Sequence, residues 1–330
     1  MKIKKQRHVK SNSIMLASAL LIGLLVQQPV LASLTFTFNY NTPNVGFNDP
    51  TLGAGRRAAL EGAANSVGAY FSTYSANLVY DITSDDSDDF LVTTGSFTNF
   101  NAGNFQPSHL QQKVLSNGVD PDTNRPDGVM NWNFTNNFDV TDNVTAGAFD
   151  MKAVAMHELI HSFGFASFVG DGGLGAEGFS PGNPDTWRPF DNFLTDAAGN
   201  RLISTNGVFQ DPRLLDLTGG TDGNGVFFNG ANALLANGGE KVNLFSPNPF
   251  EPGSSIGHLD DDFFINTILL MESTVSTGPS TRILSDIELG ILKDIGYSQV
   301  GLVPIPAAIW LMGSGLIALS GMSLRRKSTG

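Results

Sequence analysis

Asp150-Met151-Lys152-Ala153-Val154-Ala155-Met156-His157-Glu158-Leu159-Ile160-His161-Ser162-Phe163-Gly164 is the stretch on which the reading of this chain turns. Asp150 is a good N-cap, Val154, Met156 and Leu159 supply apolar positions, and Gly164 is a natural stop, so the segment is expected to be a helix. His157 and His161 are four residues apart and share one face, one turn above the other. Two imidazoles so placed can point at one metal ion, with Zn–N distances of ~2.0–2.1 Å. Glu158 is offset by about 100° around the helix. It stays out of the ligand set but reaches a water on the open side of the metal, the place of a general base. A chance HExxH arises in on the order of one percent of chains this long, so the motif carries weight.

Leu34, Phe36, Phe38 and Tyr40 alternate with polar residues and predict a strand. Leu60, Ala64, Val67, Phe71 and Tyr74 recur at helical spacing and predict an amphipathic helix from about Gly55 to Ala76. Leu78, Tyr80 and Ile82 alternate again, Phe90-Leu91-Val92 suggests a further strand, and Met130, Trp132 and Phe134 form a later one. That last run is the candidate edge strand along which an extended substrate would add. From Phe168 to Gly257 the chain is rich in Gly, Asn, Asp and Pro and is expected to be irregular. One late helix is expected from Ser285 to Ile295. The fold class expected is α+β: a twisted mixed sheet with two long helices in residues 33–164, then a loop-rich segment, 165–299, with one late helix. No internal repeat is visible.

A hydrolytic zinc needs a third protein ligand and an open position. With no cysteine in the 330 residues, that ligand is a histidine or a carboxylate. Beyond the motif, His8 lies near the N-terminus, leaving His109 and His258; Glu177, Glu240, Glu251 and Glu272 are the carboxylate candidates. The run from His157 through Gly164 resembles the metzincin pattern HExxHxxGxxH up to the glycine, and departs from it at Ser167, where a third His is usual. The order of HExxHxxG, a long insertion, His258 and then Met271 resembles the leishmanolysin-like branch of the metzincins. That resemblance implies a metzincin-like fold, His258 as third ligand, Met271 as the Met-turn residue, Gly164 as the turning glycine and a closing helix within Asp286–Tyr297. It also implies a zinc endopeptidase acting on protein or peptide substrates. The competing expectation is a cell-surface or matrix protein that uses such a scaffold for binding without turnover.

The two ends read as addresses. Residues 1–32 have a basic start, an apolar run from Ile14 to Val26 and a small-residue exit at Val30-Leu31-Ala32, as in a secretory signal peptide. Residues 300–330 carry Val303-Pro304-Ile305-Pro306, an apolar stretch to Leu324 and then Arg325-Arg326-Lys327. This resembles the PEP-CTERM class of sorting signals in a VPxPA-type form. It implies an exosortase-like processing enzyme as partner, a transient membrane helix, and an exported protein of the cell envelope or surface. The five basic residues in the first ten and the three near the end leave 11 of the 19 basic residues against 31 acidic ones. So acidic a body excludes nucleic acid as a partner.

Other signals carry less. Gly173 to Gly178 spells GxGxxG without a preceding strand, and no GxSxG context is present for a serine nucleophile. The acidic runs Asp85–Asp89 and Asp120–Asn124 are candidate calcium-binding loops (Ca2+), although Arg125 stands where an EF-hand needs glycine.

Overall fold

Residues 33–85, 90–99, 104–170, 186–209 and 225–302 are described by a computed structural model, and all of them belong to one compact unit, Ala32–Gly330. β1 (Leu34–Tyr40) and β2 (Ala76–Asp85) form where the sequence alternates, and run parallel with Leu34 opposite Ala76. Between them, α1 (Gly53–Tyr70) buries Leu60, Ala63, Ala64 and Val67. This helix stops short of the expected Ala76. Phe71 and Tyr74 keep a helical spacing because both face the core, yet they lie in a turn closed by Tyr74 N donating to Phe71 O. Such a turn mimics the periodicity of a helix over one repeat.

β3 (Val92–Gly95) and β4 (Gly128–Asn133) complete a four-stranded sheet in the order β1-β2-β4-β3, with β3 alone antiparallel. The expectation for Met130 to Phe134 is corrected here. Its alternation reports a buried face, but β4 is paired on both sides and Phe134 lies past its end; the edge on that side is β3. Alternation shows which side chains point inward and is silent on which neighbours a strand has. α2 (His109–Leu115), capped by Ser108, was not expected. From it Lys113 donates to Asp120 at 2.7 Å and to Asp127 at 2.8 Å.

α3 (Met151–Ser162) is the motif helix and forms as its sequence predicts. The Asp150 carboxylate accepts from Lys152 N and Ala153 N, and on its other side from the Arg282 guanidinium at 2.9–3.0 Å. α3 packs on α1 and β3. Beneath its last turn, Tyr80 Oη and Ser162 Oγ are 2.6 Å apart. Gly128 makes room for that contact, since a Cβ there would sit 2.3 Å from the Tyr80 ring.

Among the described residues beyond α3, regular structure is sparse, as expected. Leu194–Thr195, Phe227–Phe228 and Val242–Asn243 form a small antiparallel sheet. α4 (Ala231–Ala236) packs against α5 (Asp286–Asp294), the expected late helix, capped by Ser285. One apolar cluster runs from Leu34 to Val300 through both the sheet and the loop-rich segment. With five α-helices among the described residues and a mixed sheet, the fold class is α+β.

Residues 1–32 and 303–330, the GxGxxG run and Asp86–Asp89 lie outside the described residues. Among those described, no helix is long and apolar enough to cross a membrane. In the second acidic run, Asp120 pairs with Lys113 and Asp122 accepts from Asn124 N, so these oxygens are engaged within the chain.

Candidate metal centre

α3 presents His157 and His161 toward a loop that carries His258, and the three Nε2 atoms converge. They stand 2.9 Å (His157–His161), 3.0 Å (His161–His258) and 3.2 Å (His157–His258) apart. The opposite nitrogen of each ring faces a backbone carbonyl: His157 Nδ1 meets Leu270 O at 2.7 Å, His161 Nδ1 meets Phe165 O at 2.6 Å, and His258 Nδ1 meets Ser254 O at 2.8 Å.

A carbonyl can only accept, so each Nδ1 carries the proton and each neutral ring offers a bare lone pair at Nε2. Burial disfavours the charged forms. It pushes His157 down to about 3, His161 well below its ordinary value, and His258 down as well. Three lone pairs with no proton between them repel, and a cation relieves that repulsion. Tetrahedral ligands at the usual Zn–N distance lie about 3.3–3.4 Å from one another, and the observed separations are close to that. The donor set therefore fits a metal ion, and these three residues are the group that can hold one among the described residues.

The groups that hold the three rings in place come from elements far apart in sequence. Gly164, with φ +101°, turns the chain after α3 and brings Phe165 O onto His161. Met271 is fully buried; its carbonyl accepts from Leu259 N at 2.8 Å, next to His258, and its N–H donates to Glu288 Oε1 at 2.7 Å. Glu288 Oε2 accepts from Ser285 N at 2.6 Å. The start of α5 thus clamps the turn whose Leu270 carbonyl orients His157. Sequence reasoning missed Glu288, although Ser285-x-x-Glu288 is a capping box that can be read directly.

The other candidates fall elsewhere. His109 is buried in α2 and is not part of the cluster. Glu240 and Glu251 are exposed, and Glu177 lies outside the described residues. Glu272 lines the cleft beside the cluster, accepts from Leu269 N, and is pushed up to about 7, chiefly by burial. Ser167 donates to Asp191 at 2.6 Å, which makes it a structural residue at the position where the metzincin pattern has its histidine.

The cluster opens into a cleft of ≈ 750 Å³ walled on one side by Phe90 to Gly95, including β3. Glu158 lines it from the same helix as two of the histidines. Burial alone pushes its carboxyl up to about 8, because no hydrogen-bond donor among the described residues offsets the loss of water. A nearby cation would pull it back down. No family model, curated protein or solved structure matches this chain, and the centre is read from its own geometry.

Proposed function

We propose that the chain is a zinc-dependent endopeptidase with a metzincin-like catalytic arrangement. The observation that carries this reading is the convergence of three unprotonated Nε2 atoms beside the unpartnered Glu158, in a cleft bordered by an antiparallel edge strand.

His157, His161 and His258 would hold the zinc, which when bound supplies Lewis acidity toward a carbonyl and lowers the pKa of water at the site. β3 presents to the cleft a strand edge that is unpaired among the described residues, so an extended peptide can add to it through main-chain hydrogen bonds. Glu158 then takes a proton from the attacking water and delivers it to the leaving amine. A half-buried carboxylate that lines the cleft with no hydrogen bond among the described residues is suited to accept a proton. Residues 1–32 and 300–330, read as export and sorting signals, supply the extracellular part of the proposal.

The test is hydrolysis of casein by the zinc-loaded protein, beside Glu158→Ala and a chelated sample. Cleavage by the wild type, reduced at least about a hundredfold in Glu158→Ala and lost on chelation, supports the reading. Full activity in Glu158→Ala overturns it, and a zinc-bound wild type that binds casein without cleaving it points to a binding protein instead.

A further inference from the structure

Arg188 has no role in the chemistry above, yet it lines the same cleft, on the side of Ser167 and Phe168. It is 9% exposed and its Nε has no hydrogen-bond partner. Its guanidinium pairs with no carboxylate among the described residues. Asp191, the nearest acidic residue in sequence, spends its oxygens on Ser167 Oγ at 2.6 Å, Phe168 N at 3.1 Å and the Arg188 backbone N at 2.7 Å. What holds the guanidinium is the Phe168 ring, 4.2 Å from its carbon.

Asp191 attracts the charge electrostatically without bonding to the guanidinium; burying a charge with no hydrogen-bonded partner costs several kcal/mol, and a guanidinium offers five donors in a rigid fork. Burial lowers the Arg188 pKa only to about 10, so the charge persists at neutral pH. The Phe168 ring holds the guanidinium by a cation–π contact, which uses none of its N–H donors. The acidic residues lining the same cleft are Glu158 and Glu272, and neither bonds to the guanidinium among the described residues.

We propose that Arg188 is a carboxylate-binding residue of the cleft, selecting peptides that place a carboxylate against the Ser167–Phe168 wall. The ligand chemistry is a planar carboxylate gripped by two parallel N–H donors. It comes from an Asp or Glu side chain within the peptide or from a free C-terminus. This deepens the peptidase reading and rests on the same cleft, but binding tests it without turnover.

The experiment titrates octapeptides into zinc-loaded Glu158→Gln protein by calorimetry. The parent peptide is amidated and carries no carboxylate. One set moves a single Glu through each position, and one further peptide is the parent with a free C-terminus. At least one carboxylate peptide is expected to bind about ten- to a hundredfold more tightly than the parent. Arg188→Gln abolishes that difference and leaves parent binding unchanged, while Arg188→Lys retains part of it; circular dichroism verifies that each variant is folded. The Glu series and the free C-terminus identify the source of the carboxylate. Equal binding of every peptide, or a preference that survives in Arg188→Gln, overturns the proposal. If the preference holds while wild type cleaves none of the peptides or casein, the peptidase reading fails and the carboxylate site stands.

Discussion

His258 carries the largest share of the site for a single residue outside α3. Its Nε2 lies 3.0 and 3.2 Å from those of the motif histidines. Removing it leaves two donors on one helix and an ion open on two sides. His258→Ala is therefore expected to weaken zinc binding by more than about a hundredfold, beyond the 10–100-fold typical of losing an outer-shell partner; competition with a chromophoric chelator measures it. Among individual residues, His157, Glu158 and His161 were legible because one helix fixes their geometry through the i, i+4 rule. His258 was reached only by resemblance and the scarcity of histidines, since a residue 97 positions from His161 shares no local geometry with it. Leu270 O, Phe165 O and Ser254 O could not be read at all. Every residue carries a carbonyl, and only the fold decides which ones meet an imidazole. Arg188 was missed for a related reason: an unpaired guanidinium is defined by the partners it lacks, and sequence does not show those.

Among the elements, the connection between α5 and the centre is the one most open to test. Glu288 is fully buried and accepts from both Met271 N and Ser285 N. Glu288→Gln sets an NH2 against one of those N–H donors. The expected outcome is a loss of about 1–3 kcal/mol in urea unfolding together with a ~10–100-fold loss of zinc affinity, because the Leu270–Met271 segment is no longer held. Ser285→Ala removes the helix cap alone, costing about 1 kcal/mol with zinc affinity kept. A Glu288→Gln protein that binds zinc like wild type would detach α5 from the site. The helix of the motif and the late helix were legible because each has an N-cap, an apolar face and a stop. α1 was overrun since Phe71 and Tyr74 keep facing the core after the helix has ended. The rank of a strand within its sheet was not legible. β4 and β3 both read as strands, and only the pairing of Val92 with Trp132 and of Tyr80 with Gly128 puts β4 inside and β3 at the edge.

For the whole molecule, the acidic surface sets the response to pH. Donors from Lys152 and Arg282 hold the Asp142 carboxyl below its ordinary value. The Thr141 and Thr145 hydroxyls and amides do the same to Asp139. Burial works to raise Asp120, but its bond to Lys113 and the other donors outweigh it and the net shift is downward. A depressed carboxyl stabilises the fold at pH values above its unfolded pKa of about 3.8–3.9, and that contribution is lost as pH falls through the folded value, because the unfolded chain takes up protons first. Calorimetric Tm is thus expected to fall between about pH 4 and about pH 2, with Asp139→Asn, Asp142→Asn and Asp120→Asn together flattening the slope. An unchanged slope in the triple variant would remove these pairs from the account. At this scale the fold class was legible from the order of elements. The joining of sheet and loop-rich segment through one apolar cluster was not, because long-range burial leaves no local pattern in residues 165–299.

The three histidines that can hold an ion stand at positions 157, 161 and 258 of a chain without cysteine. In polymer terms, an ion held by all three is a reversible cross-link closing a loop of 97 residues. Closing a loop near that length restricts the unfolded chain by roughly 4–5 kcal/mol in the simple entropic picture. Extracellular proteins commonly obtain such a constraint from disulfides, whose survival depends on redox conditions. An ion bound at this centre would make the tether respond to free metal instead, so that metal supply would tune the resistance of the fold to unfolding.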